Sequence, residues 1–175
     1  LCAGVQSVIV WNTRPEHFWD EAQGQGFLDG RGGLTERSEA LREYGNAVTQ
    51  YGDLFLHSVK PASPVAIALD EDHCRVSDGL ADDMSVYMPL RGTFEALFRV
   101  GVEPDFVDLN RIDDDLLDER RLLILPFPYA MSDETLRKIR RYAEQGGTVL
   151  CGPTPARFDE HGWAPPTGMS PVAEE

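Results

Sequence analysis

Cys151 closes the run Thr148-Val149-Leu150-Cys151 and is followed by Gly152, a place where a strand can turn sharply and expose a thiol. A thiolate there would attack a carbonyl carbon, with His161, ten residues on, as the base. The local sequence opposes such an elbow: Val149 and Pro153 stand two before and two after the cysteine, where small residues are wanted. Free cysteine is also among the most buried residue types, so an inert thiol is weighed ahead of a nucleophile.

Two other clusters carry ligand or acid–base chemistry. Asp159-Glu160-His161 joins two carboxylates to an imidazole, and Asp70-Glu71-Asp72-His73-Cys74 adds a thiol to a similar set. Either could hold a metal or move protons. Adjacent residues rarely converge on one ion, however, so a loop-fixing role is favoured for the first and a solvated loop for the second. No metal and no cofactor is expected.

A third group mixes flat rings with charge: Trp11, Arg14, Glu16, His17, Trp19 and Glu21. Indole faces stack on sugar C–H groups while carboxylate and guanidinium groups bond to hydroxyls, so Trp11, Arg14 and Glu21 are the candidate sugar contacts. Packing of the same rings on a neighbouring domain is weighed equally. Phosphate-cradling loops are missing, since neither G-x-G-x-x-G nor G-x-x-x-x-G-K-[ST] occurs and Gly24-Gln25-Gly26 is too short a match.

These residues need elements to position them. Val8-Ile9-Val10-Trp11 reads as a buried strand, followed by an elaborated loop from Glu16 to Gly33. Thr35 caps a helix whose Leu41, Tyr44, Val48, Tyr51 and Phe55 share one face. Pro61 and Pro64 then mark a boundary. Beyond it, strands at Val65–Leu69, Phe106–Leu109, Leu122–Leu125 and Thr148–Cys151 alternate with helices over Met84–Val100 and after Ser132. The first of these helices turns Leu90, Phe94, Leu97 and Phe98 to one side, the second turns Leu136, Ile139 and Ala143 inward, and Gly146-Gly147 ends it. The alternation predicts an α/β fold with a doubly wound, mostly parallel sheet, whose ligand crevices lie beyond the carboxyl ends of the strands.

Composition narrows the partners. The chain has 175 residues, of which 42% are hydrophobic, enough for one core plus a fragment of a second. Thirty acidic against 16 basic residues give a net charge of −14, which repels phosphate backbones and anionic lipid, so nucleic acid is not expected as a partner. No apolar run approaches the ~20 residues that span a bilayer, so no membrane partner is expected either. Cys2, Cys74 and Cys151 lie too far apart for a C-x-x-C pair, which fits a reducing, cytoplasmic setting. The start at Leu1 and the finish at Glu175 suggest a piece of a longer chain.

The motifs resemble one family. Residues 7–15 (Ser-Val-Ile-Val-Trp-Asn-Thr-Arg-Pro), 26–31 (Gly-Phe-Leu-Asp-Gly-Arg) and 35–37 (Thr-Glu-Arg) are similar to the eighth strand, loop and last helix of the (β/α)8 barrel in glycoside hydrolase family 42 β-galactosidases. Residues 99–107 (Arg-Val-Gly-Val-Glu-Pro-Asp-Phe-Val), 145–150 (Gln-Gly-Gly-Thr-Val-Leu), Gly152-Pro153 and Asp159-Glu160-His161-Gly162 resemble that family's trimerisation domain. The resemblance implies a TIM-barrel remnant over 1–60 and, over 64–175, a flavodoxin-like, glutamine amidotransferase-like domain without amidotransferase chemistry. It also implies a homo-oligomer, a trimer, and a parent enzyme that takes a carbohydrate substrate. The family's acid/base and nucleophilic glutamates, after barrel strands four and seven, would precede Leu1; of its functional positions only the aromatic ending strand eight carries over, onto Trp11. The family's middle domain continues further than this chain does. The implied function is a non-catalytic assembly segment of a retaining glycosidase. The alternatives are an amidotransferase-like hydrolase using Cys151 as nucleophile with His161 as base, and a small carbohydrate-binding module using Trp11 and Trp19.

Overall fold

The structure is a computed structural model, and it describes residues 7–15, 26–80, 84–111, 117, 119–153 and 155–164. The chain divides into two compact units, Leu1–Pro61 and Ala62–Glu175.

In the first unit, α1 runs from Glu36 to His57. Its start is fixed by a reciprocal cap: the Thr35 hydroxyl accepts from the Ser38 N–H, and the Ser38 hydroxyl accepts from the Thr35 N–H at 3.1 Å. Two of the N–H groups that a helix start leaves without intrahelical partners are thereby satisfied. No residue of α1 is buried, and Leu54 and Leu56 are largely exposed. The expected apolar face is half-covered: Leu41, Tyr44, Val48 and Phe55 are half-buried, and Tyr51 is exposed.

Val8–Trp11 is not the buried strand that its β-branched run predicts. It forms no regular element, and Val8, Ile9 and Trp11 are exposed. A strand is held by ladder partners on its flanks, and among the described residues this segment pairs with none in a ladder. Only Asn12 and Thr13 are tied down, their carbonyls accepting from the N–H groups of Phe27 and Leu28 at 3.3 and 2.9 Å. Residues 16–25 of the expected loop lie outside the described set.

The second unit is a parallel sheet of β1 (Val65–Leu69), β2 (Asp105–Asp108), β3 (Leu122–Leu125) and β4 (Thr148–Cys151), in the order β2-β1-β3-β4. Three helices accompany it: α2 (Glu71–Leu80), α3 (Met84–Arg99) and α4 (Asp133–Glu144). The two central strands, β1 and β3, are wholly apolar because side chains on both sheet faces need cover. On one face Ala66, Ala68, Val107, Leu123 and Leu125 form the core with Leu109, Met131 and Tyr142, and Leu136 and Ile139 of α4 pack against it. The opposite face carries the aligned row Phe106, Ile67, Ile124 and Leu150. Its two middle residues are buried and its two ends exposed.

α4 begins where expected, with the Ser132 hydroxyl accepting from the Thr135 N–H at 3.1 Å. It ends at Gly146, whose φ of +98° is the left-handed conformation that favours glycine. Ala143 does not point inward as expected; it is exposed, and the much larger Tyr142 takes the inward place in the last turn. Strand β2 starts and ends one residue before the predicted run, and Leu109 opens a short 3₁₀ turn, Leu109–Arg111.

The second difference from expectation is α2. Asp70-Glu71-Asp72-His73-Cys74 is not a solvated loop but the cap and first turn of a helix. Asp70 Oδ1 accepts from the N–H groups of Asp72 and His73 at 2.9 and 3.2 Å, the bonding of an N-cap.

At the amino end of the sheet an ion pair joins the strand starts. Arg120 Nη2 lies 2.9 Å from Asp105 Oδ2, which also accepts from the Ser63 N–H at 3.0 Å. Both side chains are largely buried, so loss of either partner would strand the other's charge.

Candidate functional site

In an open parallel sheet a ligand crevice forms where neighbouring strands send their connections to opposite sides. Here that place is between β1 and β3, the two central strands. A cavity of about 30 Å³ lies at their carboxyl ends, lined by Leu69, Asp70, His73, Leu109, Leu125 and Phe127 among others. Such a volume has room for one or two water molecules.

Two buried polar side chains border it. Burial pushes the Asp70 carboxyl up from 3.8 to about 6. The two backbone N–H bonds to Oδ1 pull the other way, while Asp72 and Asp108 add to the rise. Asp70 Oδ2 has no hydrogen-bond partner. His73 is 4% exposed, and burial pushes its pKa below the ordinary histidine range. Its Nδ1 accepts from the Tyr129 N–H at 3.2 Å, so the neutral ring carries its proton on Nε2, which has no partner either. The ring also meets Phe127 edge-on at 5.5 Å, and Phe127 stacks on Tyr129. His73 thus pins the segment after β3 to α2, a positioning role. Among the described residues no group of three or more His, Cys, Asp or Glu side chains could hold a metal ion.

The sequence-predicted residues fall in separate places. Cys151 sits beside Leu125 in the β3–β4 register and packs on the core, and burial raises its thiol pKa. That is the opposite of what activates a nucleophile. The chain after it approaches β3 closely: the Gly152 N–H donates to the Leu125 carbonyl at 2.8 Å, and a Cβ at Gly152 would overlap the Pro126 carbonyl oxygen. His161 is exposed, with Nε2 3.8 Å from Glu160. No hydrogen bond joins it to Cys151.

Asp159 fixes a turn. Its Oδ1 accepts from the N–H groups of His161 and Trp163 at 2.9 and 2.8 Å, and Gly162 takes a φ of +82°. Asp29 does the same in the first unit, accepting from the N–H groups of Arg31 and Gly33, with Gly32 at +86°. Both acids are thus committed to backbone donors.

Trp11 is 71% exposed and Arg14 is exposed too. Glu21, like Glu16, His17 and Trp19, lies outside the described residues. Sequence reasoning singled out Asp70 and His73 as part of one acidic cluster and missed their separate roles, the cap of α2 and the anchor of Tyr129. Their signal was an Asp ending an apolar strand, followed by acids at the first two helical positions, where the helix dipole favours negative charge.

A parallel α/β domain whose acids cap helices and turns, and whose cysteine is packed away, is built like a structural module. Residues 65–173 match the family model described as the β-galactosidase trimerisation domain, and the chain belongs to that family.

Solved structures share the fold. A catalytic mutant of a family 42 β-galactosidase from G. stearothermophilus is 21% identical with a TM-score of 0.59, over 89% of this chain and 23% of that one. A β-galactosidase from Bacillus circulans sp. alkalophilus is 20% identical with a TM-score of 0.58, over 88% and 23%. One from Bifidobacterium adolescentis is 19% identical with a TM-score of 0.52, over 59% and 46%. This chain therefore spans 23 to 46% of the length of these solved chains. No curated protein sequence matches it. No helix among the described residues is long and apolar enough to cross a membrane.

Proposed function

We propose that this chain is the non-catalytic trimerisation segment of a β-galactosidase-like glycosidase working in carbohydrate metabolism in the cytoplasm. Residues 64–175 would join copies, and residues 1–60 would close the end of a catalytic (β/α)8 barrel. The observation that carries this reading is the family match over 65–173. The parent would hydrolyse its glycoside in two steps with retention, using two carboxyl groups about 5 to 5.5 Å apart that the barrel supplies. Trp11, with its exposed indole beside an exposed Arg14, would form part of the sugar-facing wall.

A chromogenic β-galactoside tests the non-catalytic part. The purified chain is expected to release no chromophore above buffer. Turnover that survives repurification would overturn the reading, because it would place a working pair of carboxyl groups within this chain.

A further inference from the structure

We propose that the aromatic stripe of α3, continued by Phe106 on edge strand β2, is the face through which one copy of this chain docks on the next. This rests on the assembly role just proposed and names its contact surface.

Tyr87, Arg91, Phe94 and Phe98 recur at spacings of four, three and four along α3, which places them on one face of the helix. Phe94 stacks on Phe98 at 5.8 Å and on Phe106 at 5.7 Å, so three rings form one continuous surface. That surface is not covered: Tyr87, Phe98 and Phe106 are 55%, 56% and 47% exposed. Isolated exposed apolar side chains are ordinary, but a stacked cluster spanning a helix and a sheet edge is the kind of patch that marks an interface. Its composition fits as well, since interface cores are enriched in Phe, Tyr and Arg with charge at the rim.

Charge selects the occupant. The chain as a whole is at −14, so copies repel over most of their surface. α3 departs from this balance, carrying Arg91 and Arg99 against the single acid Glu95. Glu95 accepts from Arg91 at 2.7 Å and lies 4.0 Å from Arg99, so the three form a net-positive rim beside the rings. A basic-rimmed aromatic patch on an acidic molecule is complementary to another part of that same molecule. In a closed three-fold ring each contact is heterologous, so this face meets a different surface of the neighbour, and one substitution weakens all three contacts.

Sedimentation equilibrium of the full chain, beside Phe98→Glu and the rim reversal Arg91→Glu/Arg99→Glu, tests the proposal. The wild-type chain is expected at three-subunit mass. Phe98→Glu should raise the dissociation constant at least about 30-fold, as loss of a central aromatic anchor does, with an unchanged far-ultraviolet circular dichroism spectrum. The rim reversal touches only exposed charges and should weaken assembly without risk to the fold. Both variants staying at three-subunit mass would overturn this face and leave the assembly role intact. A wild-type chain at one-subunit mass at every concentration would overturn the assembly role itself, and the docking face with it.

Discussion

Substituting Asn for Asp70 keeps the cap on α2, because Asn and Asp serve equally as N-caps, and removes the titration. Asp70 is 8% exposed, and its carboxyl titrates near 6 in the folded chain against 3.8 without burial. A raised acid pKa means that the folded state holds the proton more tightly. The stability that this contributes is fully present below 3.8 and is lost as pH rises through about 6. Over that window, at about 1.4 kcal/mol per pH unit, the loss comes to about 3 kcal/mol. The Asn variant has no such term, so the stability difference between variant and wild type should grow in the variant's favour by about 3 kcal/mol between pH 3.5 and pH 7. The buried Nδ2 of Asn lowers the variant by an amount that does not change with pH, so it cancels from the slope. Urea unfolding followed by circular dichroism at each pH reads the difference directly. A difference that stays flat across the window would refute the burial of an ionisable Asp70.

Three further outcomes follow from particular contacts. Gly152→Ala places a Cβ against the Pro126 carbonyl oxygen and should cost about 1 to 3 kcal/mol in urea unfolding, with no such cost in Gly45→Ala, where a Cβ meets nothing within 4 Å. Arg120→Met strands the Asp105 carboxylate near the strand starts and should cost about 3 kcal/mol, much of it recovered in Arg120→Met/Asp105→Leu, by the same assay. In a chain lacking Cys2 and Cys74, Cys151 should alkylate more slowly with iodoacetamide at pH 7.5 when folded than in urea; a faster folded rate would reopen its claim as a nucleophile.

Much of the second unit is legible in the sequence because its strongest signals are local. Ile67 and Leu123 sit in uninterrupted apolar runs that only a doubly covered strand requires, and both are fully buried. Ser132 and Gly146 bracket α4 by chemistry that acts within one turn. α2 is not legible that way, because its apolar residues, Cys74, Val76 and Leu80, are sparse. It is held by the Asp70 cap and by the contact of His73 with Tyr129, 56 residues away, which no window of sequence displays. Val8–Trp11 fails for the converse reason: a β-branched run states a preference, and only neighbouring strands can satisfy it.

The candidate site divides similarly. Residue type alone nominates Cys151, but its reactivity depends on the packing that raises its pKa. The turn at Asp159 was half visible, since an acid followed three residues later by glycine is turn chemistry, whereas the exposure of His161 was not.

A domain that joins copies of its chain sets the mass of that chain in solution. At micromolar concentration, sedimentation equilibrium should give three times the chain mass of 19.5 kDa. A single-chain mass that persists as concentration rises would contradict the account.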